Sequence, residues 1–122
     1  MSASYCLDTY ALIEITKDNP AYRKFKELAI VVNDITLTEF YGVLLQKQNE
    51  ATAEYWWRQF STVSLPVSKL TLREAQKFKQ ENRKSNISFF DAVGYIFAQQ
   101  NHLLFLTGDK EFAGRPGVEY VK

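Results

Sequence analysis

Short apolar runs alternate along this chain with longer amphipathic stretches, and that alternation leaves few architectures open. Ser4 to Leu7, Ile30-Val31-Val32, Val63 to Val67, His102 to Thr107 and Val118 to Val121 read as strands. Between them, Ala11-Leu12-Ile13 with Ile15 begins a helix. Pro20 opens a second after the Asp18-Asn19 turn, striped by Tyr22, Phe25, Leu28 and Ala29. Further helices are expected at Thr36 to Gln48, Glu50 to Phe60, Lys69 to Arg83 and Ser88 to Gln100, with one helical turn from Asp109 to Phe112. Strands separated by helices make a parallel sheet with right-handed crossovers, because parallel neighbours need a connection long enough to hold a helix. The β-branched run at Ile30 suits a strand buried on both faces, and Pro66 suits an edge strand. No repeat, low-complexity tract or linker interrupts the pattern, so an α/β fold in one domain, residues 1–122, is expected.

A parallel sheet lines up its strand C-termini, and the helix N-termini that follow them, along one edge where ligand sites form. Four acids fall at such places. Asp8 follows Tyr5-Cys6-Leu7, and Asp109 follows the strand ending Leu106-Thr107-Gly108. Glu39 and Asp91 are each expected in the first turn of an apolar helix, after Thr36-Leu37-Thr38 and Ser88-Phe89-Phe90. Each has a plain structural use: Thr36 with Glu39 and Ser88 with Asp91 match the capping box, and Asp8 and Asp109 can serve as N-caps. Taken together, acids occupy the mouths of two strands and the first turns of two helices whose hydroxyl caps already suffice. Asp34 and Glu14 lie near similar ends and read as turn or surface residues. Gathered in one cleft, ionised carboxylates repel by roughly 4 kcal/mol for a pair 4 Å apart at an effective dielectric of 20. A divalent cation relieves that repulsion.

The donor set names the cation. With one histidine and one cysteine in the chain, oxygen ligands point to Mg²⁺ or Mn²⁺ rather than zinc or copper. Such a site suits phosphodiester hydrolysis, in which the metal activates water and stabilises the leaving oxygen. His102, at the start of an apolar strand, makes no nucleophilic triad, and neither a P-loop nor a G-x-G-x-x-G fingerprint is present. The lone Cys6 excludes a disulfide within the chain and fits a reducing compartment. No apolar stretch approaches the roughly 20 residues that span a bilayer, and Met1-Ser2-Ala3-Ser4 carries no basic leader, so a cytoplasmic protein without membrane contact is expected.

Net charge is only +1, but its distribution is uneven. From Lys69 to Lys84 six basic residues, including Arg73, Lys77, Arg83 and Lys84, face only Glu74 and Glu81. This run reads either as a track for a phosphate backbone or as a solvated helix face with internal ion-pair relief.

Leu7-Asp8-Thr9-Tyr10-Ala11-Leu12-Ile13-Glu14, Thr38-Glu39, Phe90-Asp91-Ala92-Val93 and Leu106-Thr107-Gly108-Asp109-Lys110-Glu111-Phe112, in that order, resemble a PIN-domain ribonuclease over essentially the whole chain. Length and compactness look most like the VapC toxins of toxin–antitoxin pairs. The resemblance implies a five-stranded parallel sheet in the order 3-2-1-4-5 flanked by helices. It also implies that Asp8, Glu39, Asp91 and Asp109 hold one or two Mg²⁺ or Mn²⁺ ions and activate water against an RNA phosphodiester. Thr9 and Thr107 match positions where a hydroxyl holds an acid or a metal-bound water, or else they are turn and cap hydroxyls. Glu111 would be an auxiliary ligand or a helix-surface residue. The resemblance further implies a homodimer and a cognate antitoxin, for which Tyr55, Trp56, Trp57 and Phe60 would offer either a pairing surface or ordinary core. The basic helix, with Lys110 and Arg115, would hold RNA phosphates beside the cleft. Tyr10 departs from the small or amide residue that many relatives carry there.

Two other functions fit less of the pattern. A phosphatase with Asp8 as nucleophile wants a second acid two positions on, where Tyr10 stands. A catalytically silent PIN-like scaffold binding RNA or protein does not require all four acids, and all four are present.

Overall fold

The computed structural model describes residues 4–122, so the leader reading at Met1-Ser2-Ala3 falls outside the described residues. Within them, β1 (Tyr5–Leu7), β2 (Ile30–Asn33), β3 (Ser64–Leu65), β4 (Leu104–Thr107) and β5 (Val118–Tyr120) form one sheet. Every adjacent pair is parallel, and the order is β3-β2-β1-β4-β5. The helices are α1 (Thr9–Thr16), α2 (Asp34–Lys47), α3 (Glu50–Ser61), α4 (Lys69–Glu81) and α5 (Phe89–Gln100), with 3-10 turns at Pro20–Glu27 and Lys110–Phe112. The α/β class, the strand order and the edge position of the strand before Pro66 are as the sequence led us to expect.

Alternating side chains along the central strands divide the core into two layers. Leu7, Val32 and Leu106 point to one face, where they meet Leu12, Phe25, Phe40 and Phe60. Cys6 and Phe105 point to the other, against Val93, Tyr95 and Phe112. The approach of α5 to β4 is close: a Cβ on Gly94 would lie 2.9 Å from Phe105 Cε1. Large rings fill this second layer, with Tyr95, Phe105 and Phe112 in mutual contact at centroid separations of 5.1–5.7 Å.

Several local expectations need correction. The cap of α2 is Asn33, whose side chain accepts the Thr36 amide at 2.8 Å, so Thr36 lies inside the helix and is buried. The expected Thr36–Glu39 capping box therefore does not form, and Glu39 sits in the second turn. The segment after Pro20 is 3-10 rather than α-helical; Tyr22 and Phe25, three apart, share its buried side, while Leu28 lies beyond it and is exposed. His102 occupies a turn with φ of 57°, not a strand.

Of the aromatic helix, Phe60 is buried in the core while Tyr55 and Trp57 are exposed. No helix among the described residues is long and apolar enough to cross a membrane.

Candidate active site

Asp8 is the first residue after the central strand, and its carboxyl is almost wholly removed from solvent, at 2% exposure. It caps α1 by accepting the Ala11 amide on Oδ1 at 2.8 Å. Oδ2 accepts the Thr107 hydroxyl at 2.5 Å. Parallel pairing of β1 with β4 sets Leu7 beside Leu106, which brings the next residue of each strand together at the sheet edge. The Thr107 oxygen also accepts the Asp109 amide at 3.0 Å, and Asp109 Oδ1 accepts the Glu111 amide at 3.0 Å. One hydroxyl thus ties two of the four acids to one strand end.

Glu39 arrives from α2 and accepts a hydrogen bond from the Thr9 hydroxyl. Asp91 arrives from the first turn of α5, where its amide donates to Ser88 Oγ at 3.1 Å. Asp8, Glu39, Asp91 and Asp109, with Thr9, line a single open cleft of about 430 Å³ at the C-terminal edge of the sheet. Capping and cleft-lining are therefore not alternatives: Asp8 and Asp109 do both, each turning one oxygen to an amide.

The electrostatics are those of crowded, uncompensated carboxylates. Burial pushes Asp8 up to about 8, against the pull of its Thr107 and Ala11 hydrogen bonds, and the charges of Asp91 and Asp109 push the same way. Asp91 is pushed up to about 6, by burial first, then by Glu39 and Asp109. Among the described residues no ion pair joins a lysine or arginine to any of the four. Nor, among the described residues, do three acid, histidine or cysteine side chains cluster tightly enough to hold an ion as they stand. An all-oxygen donor set with this unrelieved repulsion fits a hard divalent cation.

The other residues singled out in the sequence divide. Thr9 and Thr107 act on Glu39 and Asp8. Of the basic residues named from the sequence, Lys110 lines the cleft and Arg73, Lys77, Arg83, Lys84 and Arg115 do not. Arg73 and Lys77 pair with Glu74 on the outside of α4, and Arg83 bonds the Gln80 carbonyl. Lys84, just beyond α4, is exposed and outside the cleft wall.

Arg115 is engaged internally: it donates to the Glu111 carbonyl at 2.9 Å and to Asn82 Oδ1 at 3.2 Å, and lies over the Phe78 ring. Glu111 accepts the Asn86 amide at 3.1 Å and lies outside the cleft lining.

Three lining residues escaped the sequence reading: Gly108, Tyr120 and Lys122. Tyr120 is the register partner of Thr107, a relation that no local sequence signal carries.

A family model described as PIN domain matches residues 5–117. Among curated proteins, none matches this sequence. Solved structures with the same fold include Mycobacterium tuberculosis VapC20, a toxin described as cleaving the sarcin-ricin loop. It has a TM-score of 0.80 at 15% identity, over 98% of this chain and 99% of that one. A chain of a toxin–antitoxin complex from Klebsiella pneumoniae has a TM-score of 0.74 at 22% identity, over 95% and 96%. A chain of the DNA-bound VapBC complex of Salmonella typhimurium has a TM-score of 0.75 at 16% identity, over 98% and 97%.

Proposed function

We propose, from the premise that this chain belongs to the PIN domain family, that it is a metal-dependent endoribonuclease and the toxin of a toxin–antitoxin pair. The observation that carries this reading is the convergence of Asp8, Glu39, Asp91 and Asp109 on one cleft, with no basic side chain among the described residues paired to any of them. Those four carboxylates would hold Mg²⁺ or Mn²⁺. When bound, the ion supplies Lewis acidity, which makes water a nucleophile near neutral pH and offsets charge on a phosphodiester.

The chain's own contribution is arrangement. Thr107 and the Ala11 amide fix both oxygens of Asp8, and Thr9 orients Glu39. The Thr107 oxygen and the Glu111 amide hold Asp109 from its two sides. Supporting hydroxyls of this kind set ligand orientation and basicity. Lys110, on the cleft wall, is placed to meet a substrate phosphate.

The phosphatase alternative lacks its second acid, since Tyr10 stands two positions after Asp8. The toxin and toxin–antitoxin identities of the matched structures support a cognate antitoxin as partner, and a second copy of the chain belongs to the same reading. Incubating the purified chain with RNA and Mg²⁺ or Mn²⁺ tests it. Cleavage is expected, and it should disappear in excess chelator and in Asp8→Asn or Asp91→Asn variants that keep the wild-type circular dichroism spectrum. Cleavage that survives either treatment overturns the metal mechanism, and a chain that never cuts RNA returns the scaffold alternative.

A further inference from the structure

Two tyrosines share the cleft wall with the four acids. Tyr10 follows Asp8 by two residues, in the first turn of α1, and Tyr120 ends β5; each is 36% exposed. Their placement is built into the sheet. Tyr120 pairs in register with Thr107, and register partners in a parallel pair project to the same face. Tyr120 therefore stands on the side of the sheet where the Thr107 hydroxyl meets Asp8. Tyr10 is fixed differently: its ring lies against the backbone of Gly108, so closely that a Cβ there would lie 2.1 Å from Tyr10 Cε1. Gly108 is buried beneath it. Among the described residues neither hydroxyl donates a hydrogen bond within the chain, in contrast to Tyr22 and Tyr95, which donate to the carbonyls of Val121 and Pro116.

Half-exposed aromatic rings beside a site with a lysine on its wall are what an unpaired nucleic acid strand requires: π-faces for its bases and a cation for its backbone. A duplex keeps its bases stacked on one another and offers those faces nothing. We propose that Tyr10 and Tyr120 form a platform on which one base of the RNA stacks, next to the phosphate held at the carboxylates. The inference rests on the nuclease reading above and assigns it two substrate-positioning residues.

The test measures binding as well as cutting. A short single-stranded oligoribonucleotide containing 2-aminopurine is titrated with the full chain in Ca²⁺ buffer, and its fluorescence and anisotropy are followed. Wild-type protein is expected to bind with quenching of the 2-aminopurine, and to bind the same oligomer in a perfect duplex at least tenfold more weakly. Tyr10→Ala and Tyr120→Ala are each expected to weaken single-strand binding by about 5- to 150-fold, the range for losing one base–aromatic contact, and to lose the quenching. Phenylalanine at either position keeps the ring and should restore both signals. Because Tyr10→Ala uncovers Gly108, Tyr120→Ala serves as the independent variant, with thermal midpoints compared throughout. If RNA is bound or cut but both alanine variants match wild type, or duplex binds equally well, the platform is wrong and the nuclease reading stands. If RNA is neither bound nor cut by the wild type, the nuclease reading itself has failed.

Discussion

Thr107 donates its hydroxyl hydrogen to Asp8 Oδ2 at 2.5 Å, joining side chains 99 positions apart in the sequence. The same oxygen receives the Asp109 amide, so one side chain at the end of β4 sets the separation of two acids. Thr107→Val keeps the shape and removes both partners. Stability in urea is expected to fall by about 1–3 kcal/mol, the cost of leaving buried polar groups unpaired. Thr107→Ser should recover most of it.

Thr9 stands in the same relation to Glu39, but in a half-exposed setting. Thr9→Val is expected to lower RNA cleavage by about 10- to 100-fold, as loss of a ligand-orienting partner does, with a small change in melting temperature. Thr9→Ser should cut normally. A fall in melting temperature as large as that of Thr107→Val would mean that Thr9 serves the fold rather than Glu39.

The raised pKa of Asp8 makes stability depend on pH in the metal-free protein. Its ordinary value of 3.8 rises to about 8 in the fold, so between those values the folded chain binds the proton that the unfolded chain has released. Folding then loses stability as pH rises from about 4 to about 8, by up to about 1.4 kcal/mol per pH unit while Asp8 alone titrates. Asp91, pushed up to about 6, adds in the same direction over the lower part of that window. Melting temperatures in chelator should fall from pH 5 to pH 8 and flatten above it. Asp8→Asn should remove much of the slope and raise the melting temperature at pH 8.

Divalent cations should reverse that trend, since they bind the ionised carboxylates that the apo fold disfavours. Mg²⁺ or Mn²⁺ at a fixed concentration, 100 times the dissociation constant at pH 8, is expected to stabilise by about 2.7 kcal/mol at that pH and by less at pH 6. Calorimetry would detect the proton released on binding. Asp91→Asn should show neither the stabilisation nor the proton.

Gly94 tests the packing beneath the site. A methyl added there meets the Phe105 ring in the filled layer between α5 and β4, and Gly94→Ala is expected to destabilise by about 1–3 kcal/mol through overpacking. Urea denaturation measures it. An unchanged midpoint would mean that the ring has room to move.

How far the sequence could be read depended on whether a feature was local. Asp8, Asp91 and Asp109 sit where their neighbours place them, since Leu7, Ser88 and Thr107 mark strand ends and caps within a few residues. Glu39 was misplaced by a turn because Asn33 and Thr36 are both good cap residues. Asn33 prevails because β2 runs through it to pair with Leu65, and that pairing spans 32 positions. The 3-10 segment after Pro20 and the turn at His102 differ from expectation for a similar reason: short apolar runs carry too few residues to fix their own period. The service of Arg115 to Glu111 and Asn82, and the arrival of Tyr120 beside the cleft, depend on tertiary approach and left no trace in spacing. Charge counting along α4 was least informative, because sequence cannot tell an outward face from one turned to the site.

β1 lies between β2 and β4, and this insertion governs when the centre can exist during synthesis. A nascent chain halted on the ribosome before residue 104 carries Asp8 and Glu39 but lacks the strand that bears Thr107, and Asp109 with it. Synthesis must therefore pass β4 before the four carboxylates can meet, so a chain stopped short of it cannot build the cleft.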